Sequence, residues 1–458
     1  MSQKPNLLVI LIDDLRFDEF GAGGHPYLET PHIDRIAHEG ALFERAFHTT
    51  PICSPNRASI LTGQYASRHG IIDNVARDAA SHRLPNYHVE LQRLGYETAH
   101  IGKWHMGNDG RPRPGYDFWV SFDGHGRLYD PRLNENGSYV QHQGYVTDIL
   151  NRKATDFVTR KHDKPWSLFL AHKAVHPDAE QAADGTFRMD GYRPAARHEE
   201  LYRDCVFPRK PNMQTPAEVV KQKPAWAEAF ELKSAPGARA QLAAIHSGEQ
   251  EEIRLRACMM AAVDEGVGML FDALERTGQL DDTLIVFLGD NGYFFGEHAL
   301  GPERRFAYEE GIRCPLVARF PKQIAAGTRI DRLVICQDLA PTLIELGGGK
   351  PGPQIQGRSL LPLLRDRKAA WRKSFLVEYW AENAMPWLVG MTYKAVRTDR
   401  YKYIHWVNRG RAGELDELYD LDRDPYEVKN VVSRPAYRGV REKLARELRR
   451  LVNTALGL

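Results

Sequence analysis

Residues 6–14 read NLLVILIDD, a run of six apolar residues after Asn6 that ends abruptly at two aspartates. A continuous apolar run of this length, bounded by polar residues, is typical of a strand covered on both faces of a parallel sheet. Similar short runs recur at Tyr96–Ile101, Ser167–Ala171 and Leu284–Leu288, with helical stretches between them. This alternation predicts an α/β fold with a doubly wound, mostly parallel sheet.

The pattern changes towards the end of the chain. Short β-like runs at Ser374–Trp380, Met391–Thr398 and Tyr401–Trp406 are followed by an amphipathic helix at Arg438–Leu456. We therefore expect a small C-terminal subdomain of antiparallel sheet and helix, residues 371–458, after a large first domain, residues 1–370. Within the large domain, residues 177–245 have weak periodicity and many Pro, Arg and Ala residues, which predicts an insertion or a lid-like region.

Composition excludes several classes of protein. Among 458 residues, 62 Lys and Arg face 60 Asp and Glu, a net charge of +2 that favours neither nucleic acid nor a membrane surface as partner. No apolar run approaches the roughly 18 residues of a membrane span.

No signal peptide precedes the Asp pair, so we expect a cytoplasmic protein, or a periplasmic one if a leader was removed. The five cysteines are irregularly spaced and form no CxxC pair, which argues against a disulfide framework or structural zinc.

Polar side chains follow three of the predicted strands. The pairs are Asp13-Asp14, Lys103 with His105, and Asp290-Asn291. Since ligands of open α/β sheets bind outside the carboxyl ends of the strands, these side chains can converge on one site. Aspartate and asparagine oxygens suit Ca²⁺ or Mg²⁺ better than zinc. The alternative is that each aspartate only caps the following helix, but two such pairs with a basic cluster between them favour a metal.

Residues 51–63, PICSPNRASILTG, predict a helix that starts just after Cys53. Ser54 is a good N-cap and Pro55 a good first helical residue, so Cys53 would lie at the helix entrance with Arg57 one turn along. Free backbone N–H groups there can hold a tetrahedral oxyanion beside a nucleophile. A bare thiolate nucleophile and a buried structural cysteine remain alternatives. The Cys-x5-Arg loop of cysteine phosphatases does not fit, because Arg57 is only four residues on.

These motifs resemble those of a known family. CSPNR, residues 53–57, resembles the Cys-x-Pro-x-Arg signature of type I sulfatases of the alkaline-phosphatase-like superfamily. GYETAHIGKWH, residues 95–105, is similar to the second signature of that family, and both acidic pairs occur where the family places its metal ligands. The resemblance extends from about residue 5 to residue 432. It implies that the large domain is a catalytic sulfatase domain.

The resemblance also implies a cofactor and a maturation partner. Cys53 would be oxidised to formylglycine by a formylglycine-generating maturase, and modified Cys53 would bind Ca²⁺, with Mg²⁺ or Mn²⁺ as alternatives. The other metal ligands that it implies are Asp13, Asp14, Asp290 and Asn291. One hydroxyl of the hydrated aldehyde would attack sulfur, with Asp290 as base. The second hydroxyl would then be deprotonated by His105, which expels sulfate.

The remaining roles follow from the same resemblance. Arg57 and Lys103 would orient the hydrate and stabilise the sulfate charge. His176 would be the general acid for the leaving group, with His172 as a weaker alternative. Relatives commonly carry a lysine where this chain has Arg304, which can bind sulfate or sugar but is a poor proton donor.

The stretches 121–137 and 171–177 look like those of bacterial N-acetylglucosamine-6-sulfatases and arylsulfatases. We therefore expect a sulfate ester of a sugar, an oligosaccharide or an aryl alcohol as substrate. Some aromatic side chains could stack on such a ring, although most are expected in the core: Trp104, Trp380, Trp387, His405 and Trp406. The alternatives are a phosphonate monoester or phosphodiester hydrolase on the same scaffold, and an inactive binding protein.

Overall fold

The apolar run at residues 6–12 forms the central strand of the protein. A computed structural model describes residues 4–181, 187–225, 250–301, 303–382, 391–407 and 413–458. The strands are β1 (Asn6–Ile12), β2 (Ala41–Phe43), β3 (Ala46–Phe47), β4 (Glu97–Gly102), β5 (Phe118–Ser121), β6 (Arg132–Glu135), β7 (Ser138–Gln141), β8 (Trp166–His172), β9 (Asp178–Gln181), β10 (Phe187–Gly191), β11 (Thr283–Gly289), β12 (Leu316–Arg319), β13 (Thr328–Ile330), β14 (Val334–Ile335), β15 (Ser374–Tyr379), β16 (Tyr393–Thr398), β17 (Tyr401–Trp406) and β18 (Glu417–Asp420). The α-helices are α1 (Pro31–His38), α2 (Cys53–Thr62), α3 (Ala66–His69), α4 (Asp78–Ser81), α5 (Tyr87–Arg93), α6 (Val146–Thr159), α7 (Pro216–Gln222), α8 (Gln250–Arg276), α9 (Glu309–Ile312), α10 (Leu339–Leu346), α11 (Leu361–Arg365) and α12 (Arg438–Leu456).

The main sheet has ten strands in the order β13-β2-β12-β11-β1-β8-β4-β5-β6-β7. Its centre, β11-β1-β8-β4-β5, is parallel, as the sequence predicts. Antiparallel pairs join β12 to β11 on one side and β6 to β5 on the other. These flanking strands are only three or four residues long, too short for their apolar pattern to be recognised in the sequence.

Both faces of β1 are covered, which explains its unbroken apolar sequence. Leu8, Ile10 and Ile12 pack on one face with a layer that includes α1, α6 and α8. Leu7, Val9 and Leu11 pack on the opposite face with a layer that includes α2, α5 and α10. The doubly wound arrangement predicted from the sequence is thereby confirmed.

The C-terminal residues form a separate antiparallel sheet, β15-β16-β17-β18, on which α12 packs. Buried polar contacts join this sheet to the large domain: Lys402 of β17 lies 2.8 Å from Glu309 of α9, and Tyr308 OH donates to Glu417 of β18 at 3.0 Å. The predicted antiparallel sheet and terminal helix are confirmed. The fourth strand, β18, was not predicted.

The predicted insertion at 177–245 lies partly outside the described residues. Its described parts contain the β9–β10 hairpin and α7, which begins after a capping box formed by Thr215 and Glu218. Its role as a lid stays a prediction. No helix in the described ranges is both long and apolar enough to cross a membrane.

Candidate active site

The acidic pairs are neighbours because their strands are neighbours. Strands β1 and β11 run parallel with Ile12 opposite Gly289, so Asp13-Asp14 and Asp290-Asn291 leave the same edge of the sheet side by side. Backbone bonds lock the two turns together, since Asp290 N–H donates to Ile12 O at 3.0 Å. Strands β8 and β4 end at the same edge and deliver the basic residues.

Three carboxyl groups and one thiol form a compact, fully buried cluster, which we call the acidic cluster. Asp13, Asp14, Asp290 and Cys53 each place a possible ligand atom within 4.8 Å of the others. Asn291 Nδ2 donates to Asp14 Oδ1 at 2.8 Å. Burial, together with the charge of Asp290, raises the pKa of Asp13. Three carboxyl groups in one dry site repel one another, so a bound cation would stabilise the cluster.

The donor atoms fit a hard divalent cation. Asn291 Oδ1 is buried and accepts no hydrogen bond from any residue that the structure describes. A buried amide oxygen without a donor is costly unless a ligand binds it. With the oxygens of Asp13, Asp14 and Asp290 it makes a set that suits Ca²⁺, Mg²⁺ or Mn²⁺.

Cys53 is the first residue of α2 and its side chain is fully buried. Its Sγ lies 3.5 Å from Asp13 Oδ1 and 3.9 Å from Asp14 Oδ1. The predicted cap is wrong: Ile52 is the N-cap, and Ser54 instead donates its hydroxyl to the backbone oxygen of His105. Burial raises the pKa of the Cys53 thiol well above its ordinary value. This disfavours the bare thiolate nucleophile that the sequence left open.

Arg57 lies one turn along α2 and connects the residues that follow β11 with those that follow β4. Its Nε donates to Asp290 Oδ2 at 2.7 Å, and its Nη1 donates to the backbone oxygen of Lys103 at 2.6 Å. Nη2 lies 3.7 Å from Asp13 Oδ1. The planar guanidinium is suited to such divergent contacts, which an ammonium group could not make together.

Two further cations complete the site. Lys103 follows β4, and its Nζ contacts Asp13 Oδ2. Arg304 contacts a different carboxylate, with Nη1 3.1 Å from Asp14 Oδ2. Burial opposes its charge, but Asp14 raises the pKa of Arg304 well above its ordinary value, so it stays cationic. Three cationic side chains, Arg57, Lys103 and Arg304, therefore contact the carboxylates, and an anionic sulfate group could bind among them.

His105 and His176 are also buried in the site. His176 Nδ1 donates to the backbone oxygen of Pro177 at 2.8 Å, and its Nε2 lies 3.9 Å from Asp14 Oδ2. Burial, helped by the charge of Lys103, lowers the pKa of His176 well below its ordinary value. His172 is buried too, and burial lowers its pKa to about 4. The charged group that acts on it is Asp148 of α6, which is not part of the acidic cluster. The structure thus groups His176, rather than His172, with the acidic cluster.

The sequence analysis did not identify His125, which lies beside His105 and His176. Its ring centroid lies 4.0 Å from that of His105 and 4.3 Å from that of His176. Burial, with the charges of the neighbouring His105 and Lys103, lowers its pKa well below the ordinary value. His125 lies in the turn after β5, the strand beside β4, so the rule of strand ends would have found it had β5 been recognised.

Most of the candidate stacking residues lie elsewhere. Trp104 and Trp406 are core residues whose indole N–H groups donate to Ser81 Oγ at 2.8 Å and to Glu417 Oε1 at 3.1 Å. Trp380 is half-buried and carries Lys394 Nζ 3.6 Å above its ring. His405 pairs with Asp416 at 2.9 Å. Trp387 lies outside the described residues.

Comparison with known proteins agrees with this geometry. Residues 5–349 match the Sulfatase family, and residues 296–454 match the family described as N-sulphoglucosamine sulphohydrolase, C-terminal. The chain is 30% identical to an N-acetylglucosamine-6-O-sulfatase of Bacteroides thetaiotaomicron over 95% of this chain and 84% of that protein. It is 27% identical to the human N-acetylglucosamine-6-sulfatase over 83% of this chain and 68% of that protein.

Solved structures give the same result. BT4656, solved in complex with its substrate D-glucosamine-2-N,6-O-disulfate, superposes with a TM-score of 0.83 at 27% identity, covering 99% of this chain and 98% of that one. The phosphonate monoester hydrolase of Agrobacterium radiobacter shares the fold, with a TM-score of 0.73 at 22% identity over 99% of this chain and 96% of that one. Since the family match covers most of the chain and includes the acidic pairs and Cys53, the protein belongs to the sulfatase family, with the alkaline-phosphatase-like fold, and is a sulfuric ester hydrolase.

Proposed function

We propose that the protein hydrolyses a sulfate monoester of a sugar, using formylglycine at position 53 and a divalent cation, with Ca²⁺ as the first choice. The observation that carries the proposal is that Cys53 contacts the buried cluster of Asp13, Asp14 and Asp290, which cationic side chains also contact. A sulfate ester would place its anionic oxygens among those cations. Its bridging oxygen would face the histidines.

The modified residue and the cation would supply the nucleophile: a hydrated aldehyde offers a hydroxyl for attack on sulfur, and the cation favours its deprotonation. Asp13, Asp14, Asp290 and Asn291 would hold that cation. Because Cys53 is fully buried, the maturase would act before the folded protein closes over the side chain. The maturase is therefore a required partner in this proposal.

The residues of this chain would divide the remaining work by charge. Arg57 and Lys103 would orient the side chain at position 53 and stabilise the charge of the sulfate, since both already contact the acidic cluster. Arg304 would bind a sulfate oxygen as a permanent cation. His105 would accept the proton of the second hydroxyl at position 53, and loss of that proton re-forms the aldehyde as the bond to sulfate breaks.

His176 would protonate the departing oxygen. Its Nδ1 faces the Pro177 carbonyl and therefore carries hydrogen, which leaves Nε2, the atom nearer Asp14, to exchange a proton with substrate. The negative charge of a bound sulfate ester would raise the lowered pKa of His176 and so favour its protonated form when substrate is present.

The sugar part of the proposal rests on relatives. Two relatives that cover most of the chain are N-acetylglucosamine-6-sulfatases by description, and BT4656 was solved with a sulfated glucosamine. The competing proposal, a phosphonate monoester or phosphodiester hydrolase, draws on neighbours that share the fold at 22% identity.

The test is a comparison of initial rates. Purified protein, shown by mass spectrometry of the peptide holding residue 53 to contain the aldehyde, would be assayed on N-acetylglucosamine 6-sulfate, 4-nitrophenyl sulfate and the matching phosphate and phosphonate esters. We expect the sulfate esters to react fastest, and preference for a phosphate diester by orders of magnitude would contradict the proposal. Cys53→Ala should abolish turnover, whereas Cys205→Ala, a matched change at a partly exposed cysteine, should not.

A further inference from the structure

His125 lies in a tight turn beside Lys103, His105 and His176. Its two neighbours are Gly124 and Gly126, both with positive φ, 52° and 66°. A Cβ at Gly126 would lie 2.3 Å from the ring of Phe122, so only glycine fits there. The turn therefore fixes where the His125 ring can lie, between the rings of His105 and His176.

Chemistry determines the direction of the hydrogen bond between His125 and Lys103. The Nδ1 atom of His125 lies 3.0 Å from Lys103 Nζ. An ammonium group has three donors and no acceptor, so Lys103 donates and Nδ1 accepts. His125 must then be neutral here and carry its hydrogen on Nε2. Lys103 is thus held between two acceptors, Asp13 Oδ2 and His125 Nδ1.

This contact argues against a second metal site at the same place. Asp13, His125 and His176 do offer ligand atoms within 4.8 Å of one another. However, the Lys103 ammonium already bonds to both Asp13 and His125, and a cation placed among the three would meet that charge at short range. The cluster is suited to orienting the lysine rather than to binding a metal ion.

We propose that His125 is a positioning residue for sulfate ester hydrolysis: by accepting a hydrogen bond from Lys103, it directs the remaining N–H of that ammonium towards the sulfate and the side chain at position 53. The inference rests on the proposed function. Asp13 alone leaves the ammonium free to rotate about one contact, whereas two acceptors fix the direction of the third donor. Small errors in the placement of a catalytic group cost up to about a hundredfold in rate.

Two substitutions separate the hydrogen bond from the packing of the ring. His125→Phe keeps an aromatic ring for the stack with His176 but removes the acceptor. His125→Asn gives up the ring but offers an amide oxygen close to the position of Nδ1. His88→Phe is the matched control, because His88 is a fully buried histidine stacked on Tyr87 outside the site.

The readouts are kcat and KM on 4-nitrophenyl sulfate and on N-acetylglucosamine 6-sulfate, with melting temperatures as a check on folding. We expect His125→Phe to lower kcat by about ten- to a hundredfold on both substrates with KM changed by less than about threefold. His125→Asn should recover most of the lost kcat, and His88→Phe should retain wild-type kcat. Loss on both esters follows because Lys103 acts on the sulfate, which the two substrates share.

Several results would overturn the inference. Wild-type kcat in His125→Phe would show that the acceptor is not needed, and equal losses in Phe and Asn variants of unchanged melting temperature would assign the effect to packing. A loss confined to the sugar sulfate would mean that His125 acts through His176 and the leaving group. Failure of the proposed function is distinct, because aldehyde-containing wild-type protein would then hydrolyse neither sulfate ester.

Discussion

Replacing Arg57 by alanine tests whether the buried charges of the site depend on one another. The guanidinium is 1% exposed and contacts Asp290 at 2.7 Å, the Lys103 backbone oxygen at 2.6 Å and Asp13 at 3.7 Å. Removing one partner of a buried ion pair costs about 3–5 kcal/mol, because the other charge stays buried without compensation. We expect Arg57→Ala to lower the free energy of unfolding of the cation-free protein by that amount.

A divalent cation should reverse part of this loss. Without Arg57 the electrostatic potential at Asp13 and Asp290 is more negative, because a neighbouring positive charge is gone, so Ca²⁺ should bind there more tightly. A ligand at a hundred times its dissociation constant stabilises the folded state by about 2.7 kcal/mol, and each tenfold gain in affinity adds about 1.4 kcal/mol. Ca²⁺ should therefore stabilise Arg57→Ala more than it stabilises the wild type.

The measurement is urea unfolding followed by tryptophan fluorescence, with EDTA and with a fixed excess of Ca²⁺. Arg57→Lys keeps the positive charge but can reach fewer acceptors. Its free energy of unfolding should therefore lie between those of the wild type and Arg57→Ala. Arg93→Ala removes a largely exposed arginine of α5 and should change stability by less than about 0.5 kcal/mol. An equal or smaller effect of Ca²⁺ in Arg57→Ala would refute the reasoning, because it would show that the cation and Arg57 do not share the same carboxylates.

Three other predictions concern protonation and buried charge. Because burial and Lys103 hold the pKa of His176 well below its ordinary value, kcat/KM for a sugar sulfate should rise as pH falls below about 6.5, and a pH–rate profile of His176→Ala should lack that rise. Burial, with the charge of Lys103, lowers the pKa of Lys173 to about 8; between that pH and about 10.4 the unfolded chain binds the extra proton. Urea titrations should therefore show the wild type gaining stability over this range relative to Lys173→Met, and no gain would contradict the shift. Lys402→Met should cost about 3–5 kcal/mol, because Lys402 is buried between Glu309 at 2.8 Å and Glu427 at 2.7 Å, whereas the exposed Lys429→Met should be nearly neutral in the same urea assay.

Much of the candidate site was predictable because it follows strong local patterns. Asp13-Asp14 and Asp290-Asn291 come directly after apolar strands, and in a parallel sheet such ends meet at one edge. The position of Cys53 at a helix entrance was predictable from the turn chemistry around Pro55, although Ile52, and not Ser54, is the cap. That cap could not be foreseen, because the Ser54 hydroxyl is taken by the distant His105 backbone oxygen.

His125 shows where local patterns fail. It follows β5, a strand of four residues between turns, and nothing in GHG, residues 124–126, distinguishes a site residue from a loop histidine. The aromatic candidates show the opposite case, in which a residue near the site in sequence does not belong to the site. Trp104 is adjacent in sequence to Lys103, but its indole turns into the core and bonds Ser81.

The central parallel sheet, the two acidic pairs and the family are all readable from the amino-acid sequence, because apolar runs, strand ends and short motifs are properties of neighbouring residues. Which side chains lie together in the buried site is visible only in the folded protein, since that depends on strands brought together from distant parts of the chain. The tertiary structure placed Arg304 against Asp14 and His125 against Lys103, and it separated His172 from His176 although only three residues lie between them. The contacts of 3.1 Å between Arg304 and Asp14 and of 3.0 Å between Lys103 and His125 form only when folding brings these segments together.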